Sequence, residues 1–207
     1  MNKIVYSLLI VLFLSSAVIS VFAQVSVGLI EGIWVEYTAI YTGNPPDTYP
    51  ETARIEVKTI QETLITVEIE RTLLNGTQTS RTENFDLESG APDLIVIPAF
   101  LGKGDEVYHE DWGNFTLEGV AEYSFEGATR DLVYANVRQT EFSWDRTTGI
   151  LIEAEQITEI FTQKFTAINS NIVPTEGLDI YAMLLYLAII AIIIILVVVV
   201  LFIFKRK

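Results

Sequence analysis

The densest group of side chains that could do chemistry lies between positions 105 and 111. It holds the carboxylates of Asp105, Glu106, Glu110 and Asp111 and the imidazole of His109, the chain's one histidine. Hard oxygen ligands suit Ca²⁺, so Asp105, Glu106, His109 and Asp111 are candidate metal ligands. The spacing is not that of an EF-hand, and alternation along a strand would turn these side chains to both faces. A solvated acidic loop without a cofactor is therefore the favoured interpretation.

Other kinds of catalytic site find little support in the residue types present. The chain has no cysteine, which excludes disulfides and thiolate-bound zinc or iron–sulfur clusters. Neither a nucleophile elbow nor a phosphate-binding or dinucleotide-binding glycine pattern is present. With 27 acidic residues, some pair would satisfy any glycosidase spacing by chance. The sequence therefore indicates no catalytic and no cofactor-binding residue, and we expect a protein that is not an enzyme.

Two sequons and one tryptophan complete the set of candidate sites. Asn75 and Asn114 each begin an Asn-x-Thr triplet in a predicted turn, where a bulky glycan fits, so we expect glycosylation there. Trp112 stands in a predicted loop and is the candidate exposed binding aromatic. The other aromatic residues either line a ligand cavity or form an ordinary core, and the second alternative is favoured because strands prefer aromatic residues.

The charge of the chain argues against one class of partner. It has 13 Lys and Arg residues against 27 Asp and Glu residues, a formal net charge of −14. Binding to nucleic acid needs clustered cations that can contact phosphates. We therefore expect no nucleic-acid partner.

The two ends of the chain are strongly apolar. Residues 1–23 combine Lys3, an apolar stretch and small residues before Gln24, as in a signal peptide cleaved after Ala23. The alternative is an uncleaved signal anchor. Residues 180–204 carry no charge and would span about 37 Å as a helix, enough to cross a bilayer core of roughly 30 Å.

The predicted topology follows from the charges after this apolar segment. Residues 205–207 are all basic, and the positive-inside rule places them in the cytoplasm. Residues 169–179 then form a juxtamembrane linker, and residues 24–168 form an extracellular domain. We expect a single-pass protein of the cell membrane, with the lipid bilayer as one partner of its helix.

The middle of the chain has the alternation that is typical of β-strands. Ile55 and Val57, for example, alternate with Glu56 and Lys58. One apolar and one polar face predict an all-β antiparallel meander of eight or nine strands. Asn75-Gly76 predicts a type I′ hairpin, and residues 145–149 predict a longer hairpin that ends in a left-handed glycine. The same alternation occurs in residues 32–42, 65–70, 115–125 and 161–167.

Two architectures and one resemblance follow from this pattern. The meander either curls into a half-barrel or barrel, or folds into a sandwich. Residues 104–155, with their DWG segment and the WDxxTGxLxE hairpin, resemble uncharacterised archaeal single-span surface proteins. The hairpin (Trp144, Asp145, Thr148, Gly149, Leu151 and Glu153) is also similar, more weakly, to one in lipoprotein-carrier half-barrels. The resemblance implies a curled antiparallel sheet and an archaeal source.

These observations lead to three functional hypotheses. The first is a membrane-anchored extracellular β domain with a binding or envelope-structural role, possessing no enzymatic activity. The second is an accessory subunit of a larger membrane complex, with a protein partner at the cell surface or in the membrane. The third and least favoured is a cell-surface hydrolase, which would need an acid pair or a metal site.

Overall fold

A computed structural model describes residues 25–90, 93–172, 188–190 and 192. The predicted signal peptide and the basic tail lie outside these residues. The predicted linker is described only to residue 172. Of the predicted membrane span, residues 188–190 and 192 are described, and they are helical. Within the described ranges, no helix is long and apolar enough to cross a membrane.

The described domain is all-β, as the alternation predicts, with eleven strands in place of the expected eight or nine. Nine strands form one antiparallel sheet in the order β4-β3-β2-β1-β11-β10-β9-β8-β7, and β5 and β6 form a separate hairpin. The strands are β1 (Trp34–Gly43), β2 (Pro50–Gln61), β3 (Leu64–Leu73), β4 (Gln78–Asp86), β5 (Glu106–His109), β6 (Gly113–Thr116), β7 (Gly119–Phe125), β8 (Ala128–Val137), β9 (Thr140–Asp145), β10 (Leu151–Ile157) and β11 (Phe161–Ser170).

The alternating apolar residues build two clusters. In β1, Val35 and Tyr37 are buried while Glu36 between them is half-buried, because successive side chains point to opposite faces. The main core contains Leu29, Ile33, Val35, Tyr37, Ile55, Val57, Ile65, Val67, Ile69, Phe85, Leu87, Val96, Phe125, Leu132, Ile150, Ile152, Ala167 and Ile172. The hairpin core contains Leu94, Ile97, Val107, Leu117, Val133, Ala135, Val137, Trp144 and Leu151.

The sheet is open but curled. Its two end strands, β4 and β7, do not pair with each other, so the closed barrel among the expected architectures is wrong. Glu126, in the turn between β7 and β8, nevertheless accepts a hydrogen bond of 2.9 Å from the backbone N–H of Ser170 in β11. Four strand positions separate β7 from β11, about 19 Å in a flat sheet. The contact therefore requires the sheet to curl.

The turn at Asn75-Gly76 joins β3 to β4 as predicted, but its geometry differs from the expected type I′. Only Gly76 has a positive φ, of 80°. The N–H of Gly76 donates to the carbonyl of Leu73 at 2.8 Å, and Leu73 in turn donates to Thr77 at 2.9 Å. This pattern is a type I turn followed by a glycine bulge, which needs only one left-handed residue. The predicted left-handed Gly149 is confirmed, with a φ of 76°.

The predicted single strand over residues 115–125 is divided in the structure. The N–H of Leu117 donates to the carbonyl of Asp105 at 2.9 Å, whereas the N–H of Glu118 donates to Tyr134 at 2.9 Å. The chain therefore changes partners between these two residues, leaving the small hairpin and joining the large sheet. Alternation alone does not reveal such a change, because both strands continue the same pattern.

Candidate functional site

All the residues that the sequence marks as candidate metal ligands lie on or beside the hairpin β5–β6. Val107 of β5 is buried in the hairpin core, while its neighbours Glu106 and Tyr108 are exposed. Phe115 of β6 packs against the same core. The apolar side of the hairpin thus covers strands β8 and β9, and its polar side faces outward.

His109 lies on the covered side of this hairpin and stacks on Trp112. The two rings are nearly parallel, with centroids 3.9 Å apart and an interplanar angle of 7°. The backbone N–H of Asp111 donates to His109 Nδ1 at 3.1 Å, so the ring proton of a neutral imidazole resides on Nε2. Only 1% of His109 is exposed, and Nε2 has no partner within the described ranges. A buried imidazole of this kind cannot reach a substrate unless the hairpin moves.

Trp112 is half-buried, and two contacts hold part of its ring against the domain. One of these contacts is the His109 ring. Another is Arg138, whose guanidinium carbon lies 5.3 Å from the centroid of the Trp112 ring. Indole faces attract cations, which holds part of the ring against the protein. The remaining exposed part of Trp112 is available for contact with a partner. The role of Trp112 as a binding aromatic stays a prediction.

Arg138 reaches Trp112 from a turn that the sequence did not signal. Arg138 and Gln139 connect β8 to β9 with φ values of 50° and 68°, the left-handed region for both residues. Two-residue hairpins of this form usually carry glycine or asparagine, which adopt positive φ at lower cost. Residues with larger side chains in such a conformation are strained. The missing glycine explains why sequence reasoning passed over this turn.

The candidate carboxylates each have separate surroundings. Asp105 accepts a hydrogen bond of 2.8 Å from the N–H of Gly102, and Glu106 accepts one of 3.0 Å from the amide of Asn114. Asp111 is exposed in the turn between β5 and β6. Among the residues that the structure describes, no group of three or more His, Asp or Glu side chains is placed to hold a metal ion. The calcium site stays a prediction from the sequence.

Because Asp105 and Glu106 act as local hydrogen-bond acceptors, we expect added Ca²⁺ to leave the melting temperature of the protein unchanged. The measurement is thermal unfolding with and without millimolar Ca²⁺, on the natural chain and on the Asp105→Asn, Asp111→Asn double variant. A rise in melting temperature that disappears in the double variant would contradict this expectation and establish a calcium site.

The two sequon asparagines have different surroundings. Asn75 lies exposed in its turn, and its Oδ1 accepts a hydrogen bond of 2.9 Å from the N–H of Thr77. Asn114 is exposed as well, but it lies in β6 and not in the turn where the sequence predicted it, and its Nδ2 donates to Glu106. A glycan replaces one of the two hydrogens on Nδ2, so modification of Asn114 would leave a single N–H for the contact with Glu106.

Of the other aromatic residues, Trp144 and Tyr37 are core residues. Trp144 has no exposed surface, and its indole N–H donates to the carbonyl of Leu94 at 2.7 Å. Tyr37 donates to the carbonyl of Leu151 at 2.7 Å. A groove of about 600 Å³ crosses strands β1 to β4, and its lining is mainly charged and hydroxyl-bearing, with Tyr37 from the aromatic set. These positions favour the core interpretation of the aromatic residues.

The structure also contains a buried ion pair that sequence reasoning missed. Arg130 Nη1 lies 3.1 Å from Asp145 Oδ2, and the two side chains are 6% and 2% exposed. The other oxygen of Asp145 accepts three hydrogen bonds, from the N–H groups of Thr147 and Thr148 and from the Thr148 hydroxyl. The Asp-x-x-Thr spacing signalled a turn, but nothing local to the sequence showed that Arg130 would lie beside it.

Arg130 also binds the end of the domain. Its Nη2 donates to the carbonyl of Ile172 at 2.8 Å. The guanidinium thus joins the turn at Asp145 to Ile172, which lies within the predicted linker. No protein-family model, curated protein sequence or solved structure matches this chain.

Proposed function

We propose that this protein is a membrane-anchored extracellular β domain that acts by binding or by building the cell envelope, without catalysis. We also propose that its curled sheet is a half-barrel and that residues 180–204 are the anchor. The observation that carries the proposal is the way in which the domain holds residues 170–172, which belong to the first part of the predicted linker.

Three separate parts of the domain hold this segment. Glu126 accepts hydrogen bonds from the N–H and the hydroxyl of Ser170, at 2.9 and 2.8 Å. Asn171 accepts from the N–H of Trp34 at 2.8 Å and donates to the carbonyl of Gly32 at 2.9 Å. Arg130 holds Ile172, as described above. A domain on a tether experiences force and torque at this segment, so strong attachment there suits an anchored protein.

The length of the rest of the linker, beyond Ile172, supports the same proposal. Residues 173–179 reach at most about 25 Å when fully extended. A domain that ends firmly at Ile172 would therefore lie close to the bilayer and keep a limited range of orientations. The charge of the domain limits how closely it approaches the lipid. Residues 31–179 hold nine cations and 27 acids, a net charge of −18. Acidic surfaces repel anionic headgroups, so the domain would stand away from the lipid within the reach of its linker.

The test compares the full chain with a variant that ends at residue 179, both made with their native N-terminus. We expect the full chain to remain in the membrane after alkaline carbonate extraction and its β domain to be digested by protease added outside intact cells. The shortened chain should be released into the medium. Its retention in the membrane would indicate an uncleaved N-terminal anchor, and protection of the domain from external protease would overturn the proposed topology.

A further inference from the structure

Strand β4 forms one end of the large sheet, and its outer edge has no neighbouring strand within the described ranges. It pairs with β3 over nine consecutive residue pairs without a bulge, from Leu64–Asp86 to Thr72–Gln78. Edge strands expose a row of backbone N–H and C=O groups and are usually protected by short length, proline, lysine or a bulge. β4 contains neither proline nor lysine. Its edge is therefore open to another strand.

The side chains of β4 have a pattern that fits a copy of itself. Arg81 and Glu83 carry opposite charges on either side of Thr82. We propose that two copies of this chain associate through their β4 edges, as antiparallel strands related by a two-fold axis at Thr82. In this register Arg81 lies opposite Glu83 of the partner subunit twice, and Thr82 lies opposite its own copy. Opposite charges and Thr–Thr pairs are favourable cross-strand neighbours.

The same pattern disfavours the neighbouring symmetric registers. A two-fold axis at Arg81 would place two arginines opposite each other, and an axis at Glu83 would place two glutamates opposite each other. Like charges at directly opposed positions are destabilising. The charges thus favour the axis at Thr82 over the two axes beside it.

The two charged side chains are available for this contact. Within one copy, Arg81 and Glu83 already form an ion pair of 2.9 Å, and Arg81 also lies 3.2 Å from Asp93. Their side chains are 44% and 23% exposed, respectively. Partly exposed ion pairs exchange partners at low cost, because water screens the loss of either contact. Each arginine can therefore share its own glutamate and that of the partner subunit.

The absence of cysteine from the chain allows a direct test with the full-length protein in detergent, where the copies rotate freely. Directly opposed strand residues have Cα atoms about 4.5–5.5 Å apart, within the range of a disulfide. We expect Thr82→Cys to form disulfide-linked dimers under mild oxidation. The matched control is Thr79→Cys on the same strand, where the two copies of the residue would be about 20 Å apart. Equal cross-linking of both variants would overturn the proposal.

A mixed sample tests the register. Ser80 of one copy lies opposite Asn84 of the other in the proposed pairing. A mixture of the Ser80→Cys chain and the Asn84→Cys chain should give mixed dimers, and each chain alone should give few. Dimers of either single chain at the level of the mixture would show a different register and overturn the proposed axis.

Exchanging the charges of Arg81 and Glu83 tests whether these charges cause the two copies to associate. Arg81→Glu, added to the Thr82→Cys chain, should weaken association by about tenfold, because two attractive pairs become repulsive. The further change Glu83→Arg should restore cross-linking. Lys164→Glu, which disturbs ion pairs between β11 and β10 in the middle of the sheet, serves as the control. Cross-linking that survives Arg81→Glu would overturn the charge-selected pairing. A failure of Glu83→Arg to restore cross-linking, in a chain that melts like the natural one, would overturn it as well.

Discussion

Replacing Asp145 with alanine should lower the free energy of unfolding by about 3–5 kcal/mol, the usual cost of leaving one partner of a buried ion pair alone. The guanidinium of Arg130 would remain in the main core without a counter-charge, and its Nε already has no partner within the described ranges. The N–H groups of Thr147 and Thr148 would lose their acceptor as well. Stable domains unfold with only about 5–15 kcal/mol, so this loss is a large fraction of the total.

The measurement is urea unfolding of the full chain in detergent, followed by tryptophan fluorescence, since Trp144 is fully buried. Asp131→Ala is the control. Its carboxylate is 50% exposed and lies 3.7 Å from Arg146, and an exposed pair of this kind contributes less than about 1 kcal/mol. Asp145→Asn keeps the size of the side chain, removes its charge and replaces one acceptor oxygen with an NH₂ donor. If Asp145→Ala proves no more costly than Asp131→Ala, the buried pair does not stabilise the domain.

The second large effect is a loss of stability in alkaline solution. Burial raises the pKa of Tyr37 far above its ordinary value of 10. The unfolded chain releases this proton near pH 10, whereas the folded domain retains it. The stabilisation of the folded domain by the protonated Tyr37 is therefore complete below pH 10, and it is lost as the pH rises above 10. Each such proton lowers the free energy of unfolding by about 1.4 kcal/mol per pH unit.

Tyr41 should add to this loss in a narrower range. Partial burial, followed by the nearby Tyr49 phenol, raises the pKa of Tyr41 to about 12. Its contribution therefore has the same sign as that of Tyr37 and should end near pH 12. The free energy of unfolding should fall steeply as the pH rises between these limits.

The matched variant for this prediction is Tyr37→Phe. It removes the hydrogen bond to Leu151, at a cost of about 1 kcal/mol at neutral pH, and it removes the buried titrating group. We expect urea unfolding at several pH values from 8 to 12 to show a shallower alkaline decline for this variant. Tyr108→Phe, at a residue 48% exposed, is the control. An unchanged slope in Tyr37→Phe would mean that other groups govern alkaline unfolding.

Much of the fold could be predicted because the buried and exposed faces of a β-strand appear in its own sequence as alternating apolar and polar residues. In β3, Ile65, Val67 and Ile69 are almost completely buried, and the residues between them are more exposed. Period-two alternation therefore gave the position of this strand and its inner face. The positive φ of Gly149 followed in the same way from turn chemistry within five residues.

Contacts between distant parts of the chain could not be predicted in this way. The pairing of β1 with β11 and the approach of Arg130 to Ile172 depend on the curl of the whole sheet. The candidate site likewise combines residues that could be predicted with contacts that could not. The sequence picked out His109 and Trp112 as unusual residues, but their stacking and the role of Arg138 depend on how the hairpin folds onto β8 and β9.

The pairing of β1 with β11 also governs how this chain can fold during its synthesis. Val35 lies opposite Ser170, 135 residues later in the chain. At roughly 5–20 residues per second, the ribosome needs about 7–27 s to make that interval. During this time β1 can form a local meander with β2 and β3 but has no neighbour on its other side. Folding of the sheet is therefore completed late and depends on non-local contacts, which favours slow folding and a need for protection from aggregation until β11 is in place.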